Sequence, residues 1–263
     1  MGRDKASLKR RLAERELTIG SWISCGDAGV CELMAKAGFE WLVVDMEHTS
    51  LSTAQQAGLI QITELAGCVP LVRVGANDPL LIKRAMDSGA HGVIVPMVNA
   101  AEDAERAVRA AYYPPAGNRG VGLARAQRWG LEFSGYLERA ARETIVIAQI
   151  EHIDAVRNLS EIVNTEGIDG FIVGPYDLSG SLGLPGEWDH PTVREALDTV
   201  ETWMRQSSKP GGFHVVHSDR DELQRRIQTG YRFIAYGDDM VFLAEKLREE
   251  IAFLRALNRG GSS

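Results

Sequence analysis

Short apolar runs alternate eight times with longer amphipathic stretches along this 263-residue chain, and this repetition constrains its fold more than any other feature. The apolar runs are rich in β-branched residues, as in strands buried on both faces of a parallel sheet. The predicted strands are Leu17–Ile23, Trp41–Met46, Val69–Val74, Gly92–Pro96, Thr144–Ile150, Gly170–Gly174, Gly211–Val216 and Phe233–Tyr236. The predicted helices are Ala28–Ala37, Thr53–Ala66, Pro79–Ser88, Ala101–Ala111, Ala155–Asn164, Val193–Gln206, Asp221–Thr229 and Met240–Leu257.

This alternation predicts an α/β fold, because parallel strands need crossover connections of fixed hand. Eight rounds in about 250 residues match a (β/α)8 TIM barrel. A doubly wound open sheet is the alternative, but it usually carries a glycine-rich phosphate turn after its first strand. The chain has Ser24-Cys-Gly-Asp-Ala28 there, which does not match. We therefore expect one barrel domain over residues 1–258 and a disordered tail over residues 259–263.

Composition indicates an ordinary globular protein, with 44% hydrophobic and 25% charged residues. A net charge of −7 favours neither nucleic acid nor an anionic membrane as a partner. No apolar run approaches the roughly 18 residues of a membrane span, and the charged start is not followed by the apolar core of a secretion signal. Cys25, Cys31 and Cys68 lack paired metal-ligand spacing and predict three reduced thiols in the cytoplasm.

Two acidic residues follow predicted strands where a carboxylate is costly unless something pairs with it. Glu151 ends the run Thr144–Ile150, and Asp177 follows the next apolar run, 168–174. Because they follow consecutive strands, we predict that their partner is a divalent cation. The competing interpretation is that each acid is structural, and that Asp177 simply caps the next helix.

Other polar or aromatic residues also end strands, and in a barrel the C-terminal ends of the strands meet at one mouth. They are Trp22, Asp45, Glu47, His48, Arg73 and Gln149. Gln149 and Glu151 share a face, since side chains alternate along a strand. Each residue alone has a structural interpretation: Trp22 as core, His48 as a loop histidine, Arg73 as a counter-charge. The remaining histidines are interpreted as structural or solvent-facing.

These residue types together suit the chemistry of 2-oxo acids. Two carboxylates leave most of the coordination sphere of an ion such as Mg²⁺ open for water and substrate. A 2-oxo acid could chelate that ion, which would stabilise an enolate as a Lewis acid. Arg73 could brace the negative charge through its fixed donors, and His48 has a suitable pKa range for moving the proton.

The segment Trp41-Leu-Val-Val-Asp-Met-Glu-His48 resembles the D-x-E-H segment of the HpcH/HpaI family of class II, metal-dependent pyruvate aldolases. This family includes 4-hydroxy-2-oxoheptanedioate and 2-keto-3-deoxy-sugar-acid aldolases. The resemblance covers nearly the whole chain in the family's order. It continues in Pro70–Val74, His91–Val98, the Pro-Pro-Ala-Gly loop Tyr113–Gly122, Gln149–Glu151 and Gly174–Gly183.

The resemblance implies a barrel of the phosphoenolpyruvate/pyruvate type that reversibly cleaves a 4-hydroxy-2-oxo acid into pyruvate and an aldehyde. Glu151 and Asp177 match the family's metal ligands, His48 its catalytic base and Arg73 the arginine that stabilises the enolate. Mg²⁺, Mn²⁺ and Co²⁺ all remain candidates, because carboxylates and waters suit each of them.

The resemblance also assigns supporting residues. Asp87 matches the partner of His48, which in this family can come from a neighbouring subunit, and Asp45 is a rival for that role. The substrate-binding candidates are Trp22, Gln149, Tyr176, Asp177 and Arg119, the last for an acid group on the aldehyde. Tyr176 stands where relatives carry a small residue, and His152 stands where threonine is more usual. The identity of the aldehyde substrate therefore cannot be inferred from relatives.

Family members are typically hexamers, trimers of dimers, with the last helix packed on a neighbouring subunit. The amphipathic stretch Met240–Leu254 could do this or could pack on its own barrel. Two other functions stay open at this point. One is a decarboxylase for a 2-oxo acid such as oxaloacetate, which would use the same site. The other is a non-catalytic barrel that binds a small acid, although every catalytic position is filled.

Overall fold

The computed structural model describes residues 7–260, with side chains as far as residue 257. Eight parallel strands in this range close into one barrel in chain order, which confirms the predicted (β/α)8 TIM barrel. The strands are β1 Thr18–Ile23, β2 Trp41–Asp45, β3 Val69–Arg73, β4 Gly92–Val95, β5 Ile145–Ile150, β6 Gly170–Val173, β7 Gly211–Val215 and β8 Phe233–Asp238.

Twelve α-helices surround the barrel in the described part of the chain. They are α1 Leu8–Ala13, α2 Ala28–Ala37, α3 Thr53–Leu65, α4 Pro79–Asp87, α5 Ala101–Ala111, α6 Phe133–Glu143, α7 Ile153–Arg157, α8 Leu159–Asn164, α9 Pro175–Ser181, α10 Pro191–Gln206, α11 Arg220–Thr229 and α12 Asp239–Gly260. A 3-10 helix, Arg125–Gly130, follows the Pro-Pro-Ala-Gly loop. No helix among residues 7–260 is long and apolar enough to cross a membrane.

The structure corrects several helical predictions. The helix predicted over Ala155–Asn164 is two short helices, α7 and α8, which meet at Asn158. Three helices, α1, α6 and α9, were not predicted, and two of them have only six or seven residues. The tail prediction falls partly outside the described residues: α12 continues to Gly260, and residues 261–263 are not described. The one-domain assignment of residues 1–258 likewise stays a prediction.

Two apolar layers position the site. The barrel interior is filled by inward side chains such as Trp41, Leu71 and Phe233, while a second cluster lies between strands and helices. Helix α1 places Leu8 and Leu12 in the interior cluster and so closes the N-terminal end of the barrel. The inward-facing positions are apolar along most of each strand. At the C-terminal ends they are polar, and these residues gather at the mouth of the barrel.

Candidate active site

Because side chains alternate in direction along a strand, the polar residues at the strand ends point into the mouth of the barrel. On β5, Ile145 and Ile147 lie in the barrel interior, so Gln149 and Glu151 continue the same face. On β2, Val43 lies inside and Asp45 is the next residue on that face. Asp45 is paired directly with Arg73 in the β2–β3 register. The polar side chains meet at one mouth for two reasons: side chains alternate along each strand, and the register aligns the ends of neighbouring strands.

A bidentate ion pair joins the ends of β2 and β3. Arg73 Nε donates to Asp45 Oδ1 at 2.8 Å, and Arg73 Nη2 donates to Asp45 Oδ2 at 2.7 Å. Burial opposes ionisation of Asp45, but the hydrogen bonds and charge of Arg73 outweigh it and lower the pKa of Asp45. The guanidinium also lies 4.4 Å from the ring centroid of Trp22. Asp45 therefore fixes the arginine in a single orientation across the mouth.

The sequence placed Glu47 among the polar strand ends but gave it no role, and in the structure it contacts several predicted site residues. Its Oε2 lies 3.4 Å from Arg73 Nε and accepts a hydrogen bond of 3.4 Å from Gln149 Nε2. Burial, together with the charges of Glu151, Asp45 and Asp177, raises the pKa of Glu47 to about 7 against the opposing charge of Arg73. Its position two residues after Asp45, beside a predicted cation site, was the available signal.

Glu151 is only 3% exposed and is held at both oxygens. The backbone N–H of Met97 donates to Oε1 at 2.6 Å, and Gln149 Nε2 donates to Oε2. Burial and the charge of Asp177 raise the pKa of Glu151, while the hydrogen bonds lower it in part. A Cβ at Gly174 would lie 3.1 Å from Glu151 Cβ and 3.2 Å from its Oε2. The absence of a side chain at Gly174 therefore lets the β6 end approach the carboxylate.

The charge balance of this cluster fits a divalent cation. Burial raises the pKa of Glu47 and of Glu151, and the charge of Asp177 adds to the rise in both. Arg73, the cation beside them, is already paired with Asp45. Carboxylate oxygens are the ligands that hard cations prefer. No group of three or more His, Cys, Asp or Glu side chains among residues 7–260 is arranged to hold a metal ion. The predicted ligands, Glu151 and Asp177, would leave the rest of the coordination sphere of such an ion to water and substrate.

His48 lies at the rim of the mouth with its side chain 59% exposed. Its Nε2 is 3.8 Å from Glu47 Oε2, and its backbone N–H donates to Asp45 Oδ1 at 3.4 Å. Within one chain, the acid beside the imidazole is therefore Glu47, rather than either predicted aspartate. The pairing of His48 with Asp45 or Asp87 stays a prediction.

Asp87 and Arg119 lie away from the mouth and pair with each other. Arg119 Nη2 donates to Asp87 Oδ1 at 2.6 Å and to the hydroxyl of Tyr136 at 3.1 Å. Asp87 ends α4, which begins beyond the C-terminal end of β3 and runs back towards the start of β4. One chain therefore does not bring these two residues to its own mouth, and their predicted roles require a second copy.

Tyr176 and Asp177 lie in the first turn of α9. The Tyr176 side chain is exposed, and its ring stands edge-on to Trp188 at a centroid distance of 4.6 Å. Both aromatic residues line a cleft of about 620 Å³ between α9, α10 and α11. Tyr176 thus leans towards this outer cleft, and its predicted contact with substrate stays a prediction.

Known proteins resemble this chain over most of its length. The family model described as HpcH/HpaI aldolase/citrate lyase matches residues 18–245. The chain is 39% identical over 242 residues to a 4-hydroxy-2-oxo-heptane-1,7-dioate aldolase from Shigella sonnei (strain Ss046), covering 90% of each protein. It is 38% identical over 243 residues to a hydroxypyruvate/pyruvate aldolase from Pseudomonas aeruginosa, covering 92% of this chain and 90% of the relative.

A solved structure gives the same result for the fold. It is a HpcH/HpaI aldolase/citrate lyase family protein from Burkholderia cenocepacia J2315, 34% identical, with a TM-score of 0.89. The superposition covers 94% of this chain and 98% of that one. The likeness therefore extends over nearly the whole barrel fold.

Proposed function

The chain belongs to the HpcH/HpaI aldolase/citrate lyase family and is a carbon–carbon lyase of the pyruvate aldolase type, and we propose that it reversibly cleaves a 4-hydroxy-2-oxo acid into pyruvate and an aldehyde with the help of a divalent cation. The observation that carries this proposal is the convergence of the Asp45–Arg73 pair with Gln149 and Glu151 at one barrel mouth. The cation is Mg²⁺, Mn²⁺ or Co²⁺, held by Glu151 and Asp177.

The pyruvate half of the substrate is held by residues that are already oriented. A cation at Glu151 and Asp177 supplies Lewis-acid polarisation of the 2-oxo group. Arg73 uses Nε and Nη2 for Asp45, which leaves Nη1 for the oxygen on which negative charge develops. Gln149 fixes the carboxylate of Glu151, and Trp22 forms the wall beneath the guanidinium.

The proton is moved at the rim of the mouth. His48 takes the proton of the 4-hydroxyl group, the C3–C4 bond breaks and the aldehyde leaves. The electron pair of that bond remains on the enolate of pyruvate, whose oxygen faces Arg73, and protonation at C3 completes the reaction. Glu47 lies beside both the proposed base, His48, and the arginine that faces the enolate, Arg73. Its carboxylate therefore acts electrostatically on both groups.

Assembly belongs to the same proposal. The chain forms a hexamer, a trimer of dimers, in which Asp87 of one copy supports His48 of another and Arg119 faces an acid group on the substrate. An exposed apolar stripe on α12 supports packing between copies: Met240, Leu243, Leu247, Ile251 and Leu254. A cytoplasmic location is part of the same proposal, because the spacing of Cys25, Cys31 and Cys68 is typical of reduced thiols.

The test is pyruvate release from a panel of 4-hydroxy-2-oxo acids after chelation and after return of each metal. We expect release only with metal, and a loss of about a thousandfold in Glu151→Gln, since the ligand's charge is removed. Glu105→Gln, on the exposed face of α5, is the matched control. Full metal-dependent cleavage by Glu151→Gln would contradict the assignment. Turnover of oxaloacetate alone would indicate the decarboxylase.

A further inference from the structure

The chain after β4 turns through a backbone conformation that few residues adopt. Met97, two residues beyond the end of β4, has a φ of 52°. This value lies in the left-handed region, which is uncommon for any residue with a side chain. The other non-glycine residues with positive φ among residues 7–260, Arg15, Arg128 and Trp129, lie away from the C-terminal ends of the strands. Such strain persists only where the surrounding structure imposes it.

Strand pairing brings the backbone N–H of Met97 to a predicted metal ligand. Val95 pairs with Ala148 in the β4–β5 register, so Met97 stands level with the end of β5. Its N–H donates to Glu151 Oε1 at 2.6 Å, while Gln149 Nε2 donates to Oε2. Each carboxylate oxygen keeps a second lone pair, which leaves Glu151 able to bind a cation. The position of the Met97 N–H is therefore one of two constraints on this side chain.

The chain that follows Met97 is also fixed. Val98 is fully buried in the core. The backbone N–H groups of Asn99 and Ala100 donate to Asp103 Oδ2 at 3.0 and 3.1 Å, at the start of α5. Asn158 Nδ2 donates to the carbonyl oxygen of Asn99 at 2.8 Å. Residues 98–100 are thus held by packing on one side and by hydrogen bonds on the other.

The left-handed conformation satisfies both constraints at once. The angle φ is the rotation about the bond between N and Cα, so it relates the direction of the N–H to that of the chain that follows. With residues 98–100 fixed, a return of Met97 to negative φ would rotate its N–H by more than about 100°, away from Glu151. The hydrogen bond to Glu151 and the cap of α5 therefore coexist only at positive φ.

We propose that Met97 is a positioning residue for the metal site: its left-handed backbone, held in place by Asp103, aims an N–H at Glu151 and orients that carboxylate for the cation. This inference rests on the proposed metal site and adds a residue that acts on it through the main chain. A hydrogen bond that fixes a metal ligand raises the affinity for the metal. The Met97 side chain, which is 51% exposed, has no part in this role.

Substitutions at Met97 test a backbone role, because they reverse the usual order of severity. Met97→Val keeps an apolar side chain, but a β-branched residue is an outlier at positive φ. Its affinity for Mn²⁺, measured by titration, should fall by about tenfold. Met97→Gly removes the side chain but adopts this φ freely, so it should bind Mn²⁺ at least as tightly as the wild type. Equal affinities in the two variants, or a loss in Met97→Gly, would overturn the inference.

The cap of α5 gives a second test, which leaves residue 97 unchanged. Asp103→Ala removes the acceptor that holds Asn99 and Ala100, so the turn can relax to negative φ and the Mn²⁺ affinity should fall. Asp103→Asn keeps an acceptor oxygen and should restore most of the affinity. Glu102→Ala, an exposed neighbour in the first turn of α5, is the matched control. Wild-type affinity in Asp103→Ala would contradict the proposed origin of the strain.

Exchange of the methyl protons of pyruvate with solvent deuterium, followed by NMR, separates this role from a general loss of structure. At saturating Mn²⁺ the exchange rate of Met97→Val should return towards the wild-type value, because the substitution weakens metal binding and touches no reacting atom. A rate that stays low at saturation would overturn the role.

Glu151→Gln separates the inference from the proposed function. If it binds Mn²⁺ as tightly as the wild type, the proposed metal site is wrong and the inference fails with it. If it loses Mn²⁺ while Met97→Val keeps the wild-type affinity, the metal site stands and only the inference fails.

Discussion

At the scale of single residues, the site depends on how closely Glu151 is packed. Its two oxygens have fixed donors, and the β6 end approaches its side chain only because residue 174 is glycine. The carboxylate therefore has little freedom to turn away from a cation. Such preorganisation lowers the cost of binding a cation.

Gly174→Ala tests this packing. The new methyl would lie within 3.2 Å of Glu151 Oε2 and displace the carboxylate. We expect the affinity for Mn²⁺ to fall by about tenfold or more, as when a supporting group of a metal site is changed, with the fold retained. Gly180→Ala is the control in the same helix region, because a Cβ there meets nothing within 4 Å. Equal Mn²⁺ titration curves for both variants would contradict the proposed role of Gly174 in orienting the Glu151 carboxylate.

His214 gives a residue-scale prediction about pH. Its folded pKa of about 4 lies below the ordinary value of 6.5, so below pH 6.5 the unfolded chain takes up the proton more readily than the folded one. Stability is therefore lost as pH falls from about 6.5 to about 4, by at most about 1.4 kcal/mol per pH unit. In urea unfolding, the free energy of unfolding of His214→Gln should fall less than that of the wild type over this pH range. If the free energy of unfolding depends on pH in the same way for both proteins, His214 does not titrate as described.

At the scale of elements, the N-terminal end of the barrel is sealed by α1. Besides its apolar side chains, α1 provides Lys9, whose Nζ lies 3.0 Å from Asp169 Oδ1 and donates to the carbonyl of Thr144. Burial raises the pKa of Asp169, and Lys9 opposes that rise. The short helix thus joins the barrel through both packing and charge.

Lys9→Met should destabilise the protein by about 2 kcal/mol, a value between those of exposed and buried ion pairs, because Asp169 keeps its burial and loses its counter-charge. Chemical denaturation measures this change. Arg10→Met is the control from the same helix, since Arg10 is exposed and pairs only loosely with Glu14. If both variants unfold at the same denaturant concentration as the wild type, α1 is held by packing alone.

At the scale of the whole molecule, α12 presents an apolar stripe that its own barrel does not cover. Leu247 is central to this stripe, and its side chain is exposed in the single chain. In the proposed assembly, packing against a second copy would remove this stripe from water. The proposed sharing of Asp87 and Arg119 between copies would then make assembly a condition of full activity.

Leu247→Glu should break the proposed assembly, because it places a charge where apolar surface is buried. Light scattering after size-exclusion chromatography should give a multiple of 28.8 kDa for the wild type and a smaller mass for the variant. Arg248→Glu, which also changes charge on α12 but lies off the stripe, should keep the wild-type mass. A wild type that elutes as a monomer would contradict the proposal for α12.

The strands and the polar residues at their ends were predictable because both are local properties. All eight predicted strands overlap an observed strand, since runs of β-branched residues mark buried strands wherever they pair. Alternation placed Gln149 and Glu151 on one face without knowledge of any neighbour. The helices α1 and α9 were missed because six or seven residues are too few to show a helical period.

The sequence by itself thus determined the barrel and the residues of its mouth, because strand periodicity and strand ends can be read along the chain. The tertiary structure alone decided the partners: Arg73 with Asp45, Glu47 with Gln149, Trp22 beside His214, and Asp87 with Arg119 at the opposite end. These pairings depend on the register between strands and on the direction in which each helix returns. Such distances join residues far apart in the chain, and no local pattern contains them.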